Sequence, residues 1–195
     1  MFDGHLTFGT NPALLIVDFV MAYVDPASPL YAGVEQALAS NERLLAAARK
    51  AGIPVFFTHV EFTPGGANGG LFYKKVPALS LFDAGSPYGA FPPSLQPVAG
   101  EEVITKQYAS AFFGTALAEK LRALGIDTLL VTGLSTSGCV RASALDSVQN
   151  GFAPFVVREA CGDRHQGPHE ANLFDLQAKY AEVISEQEAI ALLGF

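Results

Sequence analysis

Short apolar runs alternate with helical patterns along most of the chain, and this alternation constrains the fold more than any other feature. Residues 13–17 (ALLIV) form a continuous apolar run after Pro12, which predicts a strand buried on both faces. Strands that alternate with helices are typical of a mainly parallel sheet covered by helices. The sequence therefore predicts an α/β fold, and we expect residues 1–195 to form a single domain.

The same pattern predicts the remaining elements. Gly52 and Gly125 each follow an Ala/Leu-rich helical segment, where glycine commonly ends a helix. The further predicted strands are 53–59, 103–105, 128–132, 155–157 and 182–185, and the predicted helices are 34–50, 113–124, 137–150, 169–179 and 186–193.

Between Val60 and Gly100 the pattern disappears, and glycine and proline become frequent. A connection of this length in a compact domain is usually either functional or disordered. Its aromatic side chains argue against disorder, and they are Phe62, Phe72, Tyr73, Phe82, Tyr88 and Phe91. We expect an ordered loop at about 60–100 that covers a site, either in its own subunit or in a neighbour.

Composition narrows the possible partners. The net charge is −7, with 12 Lys plus Arg and no basic cluster, so nucleic acid is a poor partner. No apolar run is long enough to cross a bilayer, and residues 1–11 lack a secretory signal, so we expect a cytoplasmic protein without a membrane partner. The low charged fraction of 16%, with 19 Gly and 12 Pro, favours a homo-oligomer, either a dimer or a tetramer.

Three reactive side chains lie at the carboxyl ends of predicted strands, which is where open parallel sheets bind ligands. Asp18 closes the first strand, Lys106 follows the third, and Cys139 comes just after the fourth. Cys139 lies in a small-residue turn that leads into a helix, where the helix dipole would lower the thiol pKa. The backbone N–H groups of such a turn could also hold an oxyanion.

Each of these residues also has an ordinary structural interpretation. A cysteine after a strand is often a small buried hydrophobe, an aspartate there is often a cap, and a lysine there is usually solvated. Two other classes of function stay open. One is a metabolite-binding module without catalysis, although no Gly-x-Gly-x-x-Gly follows the first strand. The other is a redox sensor, which would require Cys139 and Cys161 to lie close enough to bridge.

Three segments together resemble the isochorismatase-like hydrolase superfamily. They are ALLIVDF at 13–19, the lysine segment with TK at 105–106 and SAFFGT at 110–115, and VTGLSTSGCVR at 131–141. They occur in that family's order, and the resemblance covers about residues 13–185. It implies a three-layer sandwich whose six-stranded, mainly parallel, Rossmann-like sheet is flanked by helices. It also implies a catalytic triad of Cys139, Asp18 and Lys106.

Within that superfamily, the segments GDR at 162–164 and NLFD at 172–175 are most similar to N-carbamoylsarcosine amidohydrolase and its relatives. This resemblance implies that Arg164 binds a substrate carboxylate, and the structural alternative is a surface arginine paired with Asp163 or Glu170. Thr136 and Phe19 are the other expected substrate contacts. The family also implies a cis peptide between Leu134 and Ser135, and an oxyanion hole formed by the N–H groups of Ser135 and Cys139.

Departures from other family members narrow the chemistry further. The nicotinamidase metal site needs two histidines in the long loop, whereas here His59 and Glu61 are followed by no second histidine before His165. We therefore expect neither a metal nor a cofactor. True isochorismatases lack the nucleophilic cysteine, so the resemblance implies that Cys139 hydrolyses a C–N bond, with release of ammonia through a thioester-type intermediate. The expected substrate is a small N-carbamoyl amino acid, and the alternative is a monoamide such as maleamate.

Overall fold

The structure is a computed structural model that describes residues 4–195. Residues 1–3 of the predicted single domain lie outside the described residues. All strand pairs in its six-stranded sheet are parallel, in the order β3-β2-β1-β4-β5-β6. The strands are β1 (Pro12–Val17), β2 (Val55–Val60), β3 (Glu102–Lys106), β4 (Thr128–Leu134), β5 (Ala153–Gly162) and β6 (Glu182–Ile184). The predicted α/β class and parallel sheet are confirmed.

Helices cover both faces of this sheet and form the outer layers. They are α1 (Met21–Val24), α2 (Glu35–Ala51), α3 (Gly70–Lys75), α4 (Leu117–Ala123), α5 (Arg141–Gln149), α6 (Gln166–Lys179) and α7 (Glu186–Leu192). Leu44 and Leu45 of α2 and Ala189 of α7 belong to the core cluster on one face. The cluster on the other face contains Leu117 of α4 and Leu173 of α6. Because β1 is covered on both faces, its apolar run needs no alternation.

Two predicted helices begin later than expected. The helix predicted at 113–124 starts at Leu117, because Gly114 has a φ of 71°, which a right-handed helix cannot contain. The helix predicted at 137–150 begins at Arg141 as α5, after a kinked turn over residues 136–140. Gly138 interrupts it with non-helical dihedrals, φ −114° and ψ −105°.

Strand β5 is longer than the predicted 155–157. Its register with β4 shifts between Val131 and Gly133, so Val131 pairs with Val156 while Gly133 pairs with Cys161. The side chain of Asn41 in α2 donates to the Ala160 carbonyl at 2.7 Å within this bulge. The exposed Arg158 and Glu159 interrupt the apolar pattern there, which explains why the pattern marked only the first part of the strand.

The long loop, residues 61–101, is built from α3 and three short 3-10 segments. Its Phe62, Leu79 and Phe82 pack with Val20 and Ala22, which follow β1 in the same chain. The loop therefore packs against residues just beyond the carboxyl end of β1. Among residues 4–195, no helix combines the length and hydropathy needed to span a membrane.

Candidate active site

Asp18 and Lys106 form a buried ion pair at the carboxyl edge of the sheet. The chain runs from β1 outward to β2 and β3 on one side and then crosses to β4 on the other, so a crevice forms where the order reverses. Asp18 directly follows β1, and Lys106 is the last residue of β3. The Lys106 Nζ lies 2.7 Å from the Asp18 Oδ2, with exposed side-chain fractions of 0% and 3%.

Asp18 is held from two sides. Its Oδ1 accepts the Thr58 hydroxyl at 2.6 Å, and its backbone N–H donates to the Thr58 carbonyl at 3.1 Å. Asp18 has a φ of 45°, and it is the one non-glycine residue with positive φ in the described part of the chain. Such a backbone conformation at a strand end is commonly found at functional sites.

The Lys106 ammonium uses its three N–H donors on protein oxygens. Besides Asp18, it donates to the carbonyls of Tyr108 at 2.9 Å and Ala109 at 3.0 Å. Burial alone would lower the pKa of Lys106, but the Asp18 carboxylate, followed by the acidic Cys139 side chain, outweighs burial and raises the pKa above its usual value. Lys106 therefore stays positively charged at neutral pH, without water around its ammonium group.

Cys139 lies in the turn between β4 and α5, residues 135–140, which we call the β4–α5 turn. Its side chain interacts with both Asp18 and Lys106, so the structure brings together the three residues that the sequence singled out. Burial, followed by the negative charge of Asp18, raises the pKa of the Cys139 thiol to about 12, although Lys106 opposes that rise. The sequence predicted a lowered pKa, and the direction here is the opposite, because burial and the Asp18 charge raise it more than Lys106 lowers it.

Backbone hydrogen bonds shape the β4–α5 turn. The peptide bond between Leu134 and Ser135 is cis, at the position that the family resemblance implies. The N–H groups of Gly138 and Val140 both donate to the Ser135 carbonyl, at 3.0 and 3.2 Å. Because Gly138 is not helical, these bonds close a kinked turn ahead of α5.

Two of the expected substrate contacts are engaged within the protein. The buried Thr136 hydroxyl donates to the Gly162 carbonyl at 3.0 Å and lies 2.8 Å from the His169 Nδ1. Because the single hydroxyl proton is used on Gly162, we assign Nδ1–H of His169 as the donor to Thr136. Phe19 is fully buried in the core cluster beside α2. Packing and these hydrogen bonds account for both side chains without a substrate.

Arg164 lies on the surface just beyond β5. Its side chain is 65% exposed, and its Nη1 lies 3.3 Å from the Asp163 Oδ1. The pairing with Asp163 is the structural alternative considered from the sequence, and it leaves the other guanidinium donors available to a ligand. Glu170, the other partner considered, is paired with Arg158 at 2.8 Å instead.

Two residues near the triad were missed by sequence reasoning. Tyr23, in the short helix α1, has its hydroxyl pKa raised well above the usual value by burial and then by the neighbouring acidic side chains of Cys139, Asp18 and Asp163. It therefore presents a neutral hydroxyl beside the triad. Asp163 has a side chain that is 0% exposed. Its position one residue beyond the β5 glycine was visible in the sequence, but its contact with the β4–α5 turn was not.

A cavity of about 590 Å³ lies between α2 and the end of β5, and none of Asp18, Lys106 and Cys139 lines it. Asp163 and His169 form part of the wall between this cavity and the β4–α5 turn.

His59, the histidine considered for a metal site, is held by a neighbouring strand. The His59 Nε2 lies 2.8 Å from the Thr105 hydroxyl. Across residues 4–195, no three His, Cys, Asp or Glu side chains converge in a way that could hold a metal ion.

Both cysteines are free. Cys161 is buried in β5, with its Sγ 3.9 Å from the Val131 carbonyl, and it packs in the core cluster of α4, α5 and α6. Burial raises the pKa of the Cys161 thiol to about 12, so both thiols are protonated at neutral pH. Only Cys139 has a base and a cation beside it.

Sequence comparison places this chain among enzymes that cleave amides. The isochorismatase domain matches residues 12–188. Maleamate amidohydrolase from Pseudomonas putida is 49% identical over 191 residues, which cover 97% of this chain and 90% of that protein. N-Carbamoylsarcosine amidase from Arthrobacter sp. is 35% identical over 198 residues, which cover 98% of this chain and 75% of that protein.

Solved structures have the same fold. An isochorismatase family protein from Desulfovibrio vulgaris superposes with a TM-score of 0.87 at 29% identity. The superposition covers 96% of this chain and 100% of that one. N-Carbamoylsarcosine amidase from Thermoplasma acidophilum superposes with a TM-score of 0.75 at 24% identity, covering 91% of this chain and 97% of that one. The second likeness shows the shared fold alone.

Proposed function

Because the chain belongs to the isochorismatase family, we propose that it hydrolyses the monoamide of a short dicarboxylic acid, with maleamate as the leading candidate, to the diacid and ammonia. It is a hydrolase of C–N bonds in linear amides, as its named relatives are. The observation that carries the substrate proposal is the 49% identity to a maleamate amidohydrolase over nearly the whole chain. The N-carbamoyl amino acid expected first from the sequence becomes the second candidate, supported by 35% identity.

We assign Cys139 as the nucleophile and Asp18 as its base. Since burial keeps the thiol protonated, it must lose its proton as it attacks the amide carbonyl. Asp18 interacts with that thiol, and its Oδ2 accepts from Lys106 at 2.7 Å. The Lys106 ammonium lies beside both acidic groups, so it offsets the repulsion that a thiolate would feel next to a carboxylate.

Attack converts the carbonyl oxygen into an oxyanion, which we assign to the N–H groups of Ser135 and Cys139. Gly138 and Val140 already donate to the Ser135 carbonyl, and Ser137 donates to Asp163, so these three N–H groups are engaged elsewhere. A single oxyanion donor is worth about 10²–10³ in turnover. The position of the β4–α5 turn therefore bears directly on the rate.

The remaining proton transfers return the enzyme to its starting state. Protonated Asp18 gives its proton to the leaving nitrogen, the C–N bond breaks, and ammonia departs to leave a thioester on Cys139. Asp18, ionised again, takes a proton from water as the water oxygen attacks the thioester carbonyl. The C–S bond then breaks, and Asp18 returns the proton to the sulfur, so amide and water have become acid and ammonia.

We propose that Arg164 binds the second carboxylate of the substrate. The Arg164 side chain is 65% exposed and follows β5 at the same sheet edge as Cys139, and its Nη1 contacts the Asp163 Oδ1 at 3.3 Å. A charge-assisted hydrogen bond to a carboxylate contributes about 1.5–3 kcal/mol, or roughly ten- to a hundredfold in affinity.

The test is ammonia release from maleamate, N-carbamoylsarcosine and a neutral amide of similar size, measured for the native enzyme, Arg164→Ala and Arg158→Ala. We expect the native enzyme to have its highest kcat/KM on maleamate. Arg164→Ala should raise KM for maleamate about ten- to a hundredfold while changing the neutral amide less than about threefold. Arg158→Ala is the matched control, because that arginine pairs with Glu170 on the surface, and both substrates should be unaffected.

A higher kcat/KM on N-carbamoylsarcosine would move the proposal to the second candidate. Equal losses on acidic and neutral amides in Arg164→Ala, together with a lower Tm, would show that Arg164 has only a structural role. Ammonia release from none of the three compounds by folded native enzyme would contradict the proposed substrate class.

A further inference from the structure

A second carboxylate, Asp163, is buried next to the proposed active site, although the proposed chemistry does not use it. Its side chain is 0% exposed, while the neighbouring Arg164 side chain is 65% exposed. A buried carboxylate destabilises a fold unless hydrogen bonds compensate for its lost hydration. The Asp163 Oδ1 accepts the Arg164 backbone N–H at 2.9 Å and its Nη1 at 3.3 Å.

The other oxygen of Asp163 reaches into the β4–α5 turn. Its Oδ2 accepts the backbone N–H of Ser137 at 2.7 Å. Ser137 lies midway between Ser135 and Cys139, the two residues whose N–H groups we assign to the oxyanion. Hydrogen bonds to a charged acceptor are shorter and stronger than neutral ones, so this bond is suited to fixing a backbone position.

A second contact between the end of β5 and the same turn acts next to the first. Thr136 donates to the Gly162 carbonyl at 3.0 Å, and His169 holds the same hydroxyl from α6. Residues 162 and 163 thus hold residues 136 and 137 through one backbone carbonyl and one carboxylate. The Thr136 contact fixes the turn at one residue only, and Asp163 supplies the fixed point next to Gly138, whose dihedrals are not helical.

We propose that Asp163 is a positioning residue, which holds Ser137 so that the N–H groups of Ser135 and Cys139 converge on the substrate oxygen. This inference rests on Cys139 being the nucleophile, as proposed above, but not on the identity of the substrate. Asp163 acts on the oxyanion through the backbone, and the proton transfers at Asp18 do not involve it. Removing it should therefore weaken carbonyl addition at Cys139 while leaving the nucleophilicity of the thiol intact.

Two reactions of the same sulfur separate these effects. Alkylation by iodoacetamide forms a C–S bond with loss of iodide, and it creates no oxyanion. Addition to an aldehyde forms a C–S bond, passes the thiol proton to Asp18 and turns the carbonyl oxygen into an oxyanion. Nothing leaves in the second reaction, so it is reversible and reports affinity for the oxyanion.

The experiment measures how strongly butanal and succinic semialdehyde protect Cys139 from iodoacetamide, with labelling followed by peptide mass spectrometry. For Asp163→Ala we expect an alkylation rate within about threefold of native, and affinities for both aldehydes weakened about ten- to a hundredfold. Asp163→Asn keeps an oxygen that can accept from Ser137, so it should recover most of the lost affinity for butanal. The control is Asp175→Ala, which removes a half-exposed carboxylate 3.0 Å from Lys179 in α6 and should match the native protein.

Unchanged aldehyde affinity in Asp163→Ala would overturn the inference. So would equal losses in alkylation and aldehyde affinity, since they would indicate general damage to the site. If Asp163→Ala does not fold, Asp163→Asn and Asp163→Ser are compared instead. We expect Asp163→Asn to have near-native affinity for butanal and Asp163→Ser to have a lower affinity. Equal affinities of these two variants would contradict the inference. If native enzyme hydrolyses no tested amide while aldehydes protect Cys139 in an Asp163-dependent way, the proposed substrate fails and this inference stands.

Discussion

Cys139 shows how strongly the surroundings of one side chain decide its chemistry. From the sequence, a thiol at the start of a helix was expected to have a low pKa. Burial and the neighbouring Asp18 instead raise the pKa of Cys139 to about 12. A thiol in this state reacts slowly with electrophiles from solvent at neutral pH and becomes strongly nucleophilic when a base takes its proton during attack.

This raised pKa predicts a steep pH dependence for alkylation of Cys139 in the free enzyme. Because the thiolate is the minor form below a pKa of about 12, the rate with iodoacetamide should rise about tenfold per pH unit between about pH 6 and about pH 9. Rates followed by peptide mapping check this. A plateau below about pH 8 would contradict it and indicate a preformed thiolate–lysine ion pair. Cys161 should be labelled far more slowly, since it is buried in β5.

Single-residue chemistry was predictable where it depends on position along a strand. Asp18, Lys106 and Cys139 were candidates because each lies at the carboxyl end of a strand or just beyond it, and the parallel sheet brings those ends together. Their assignment as a triad came from the family resemblance, because position alone left an ordinary structural interpretation open for each. Tyr23 and Asp163 were not found, because their importance depends on contacts with residues far away in the sequence. Nothing in residue type or spacing alone separates Asp163, which is buried, from an ordinary surface aspartate beside an arginine.

Among the elements, the backbones of β4 and β1 leave no room for a side chain between them at the active-site edge. Gly133, near the end of β4, has a φ of 111°, and a Cβ there would overlap the Val17 carbonyl oxygen. Val17 immediately precedes Asp18, so this close approach brings the β4–α5 turn beside the proposed base. Glycine is required here by backbone contact as well as by its positive φ.

Gly133→Ala should therefore destabilise the protein strongly, by about 4 kcal/mol or more, because β1 and β4 cannot separate without breaking the centre of the sheet. Gly52→Ala is the matched control. Gly52 also has a positive φ, 70°, but a Cβ there meets nothing within 4 Å, so the cost should be only about 1 kcal/mol. Urea unfolding of the two variants checks this, and equal losses would show that the close approach to Val17 costs nothing.

The elements themselves were predictable to the extent that apolar periodicity specifies them. Buried strands such as β1 and β4 have uninterrupted apolar runs, and their bounds differed from prediction by at most two residues. Apolar periodicity did not show the late start of α4, which follows the positive φ of Gly114, or the kinked turn before α5. In that turn the Ser137 N–H donates to the Asp163 carboxylate, a contact between residues far apart in the sequence.

For the whole molecule, the order β3-β2-β1-β4-β5-β6 places the proposed site at the point where the chain reverses its direction across the sheet. The long loop then covers that edge by packing Phe62 and Phe82 against Val20 and Ala22. The architecture thus supplies a dry ion pair, a turn with backbone donors and an aromatic cover. The parallel sheet was predictable from alternating elements, whereas the path of the long loop was not, since its sequence has no periodic pattern.

Amide hydrolysis by this assembly depends on Cys139. Ammonia release from maleamate, compared between native enzyme and Cys139→Ala, tests this dependence. Cys139 is half-buried in a turn where alanine fits, so the variant should keep its Tm within a few degrees. We predict that native enzyme turns maleamate over and that the variant loses about 10⁴-fold or more in kcat, as expected for removal of a covalent nucleophile. A folded variant that keeps more than about 1% of native turnover would contradict the nucleophilic role of Cys139 and the mechanism built on it.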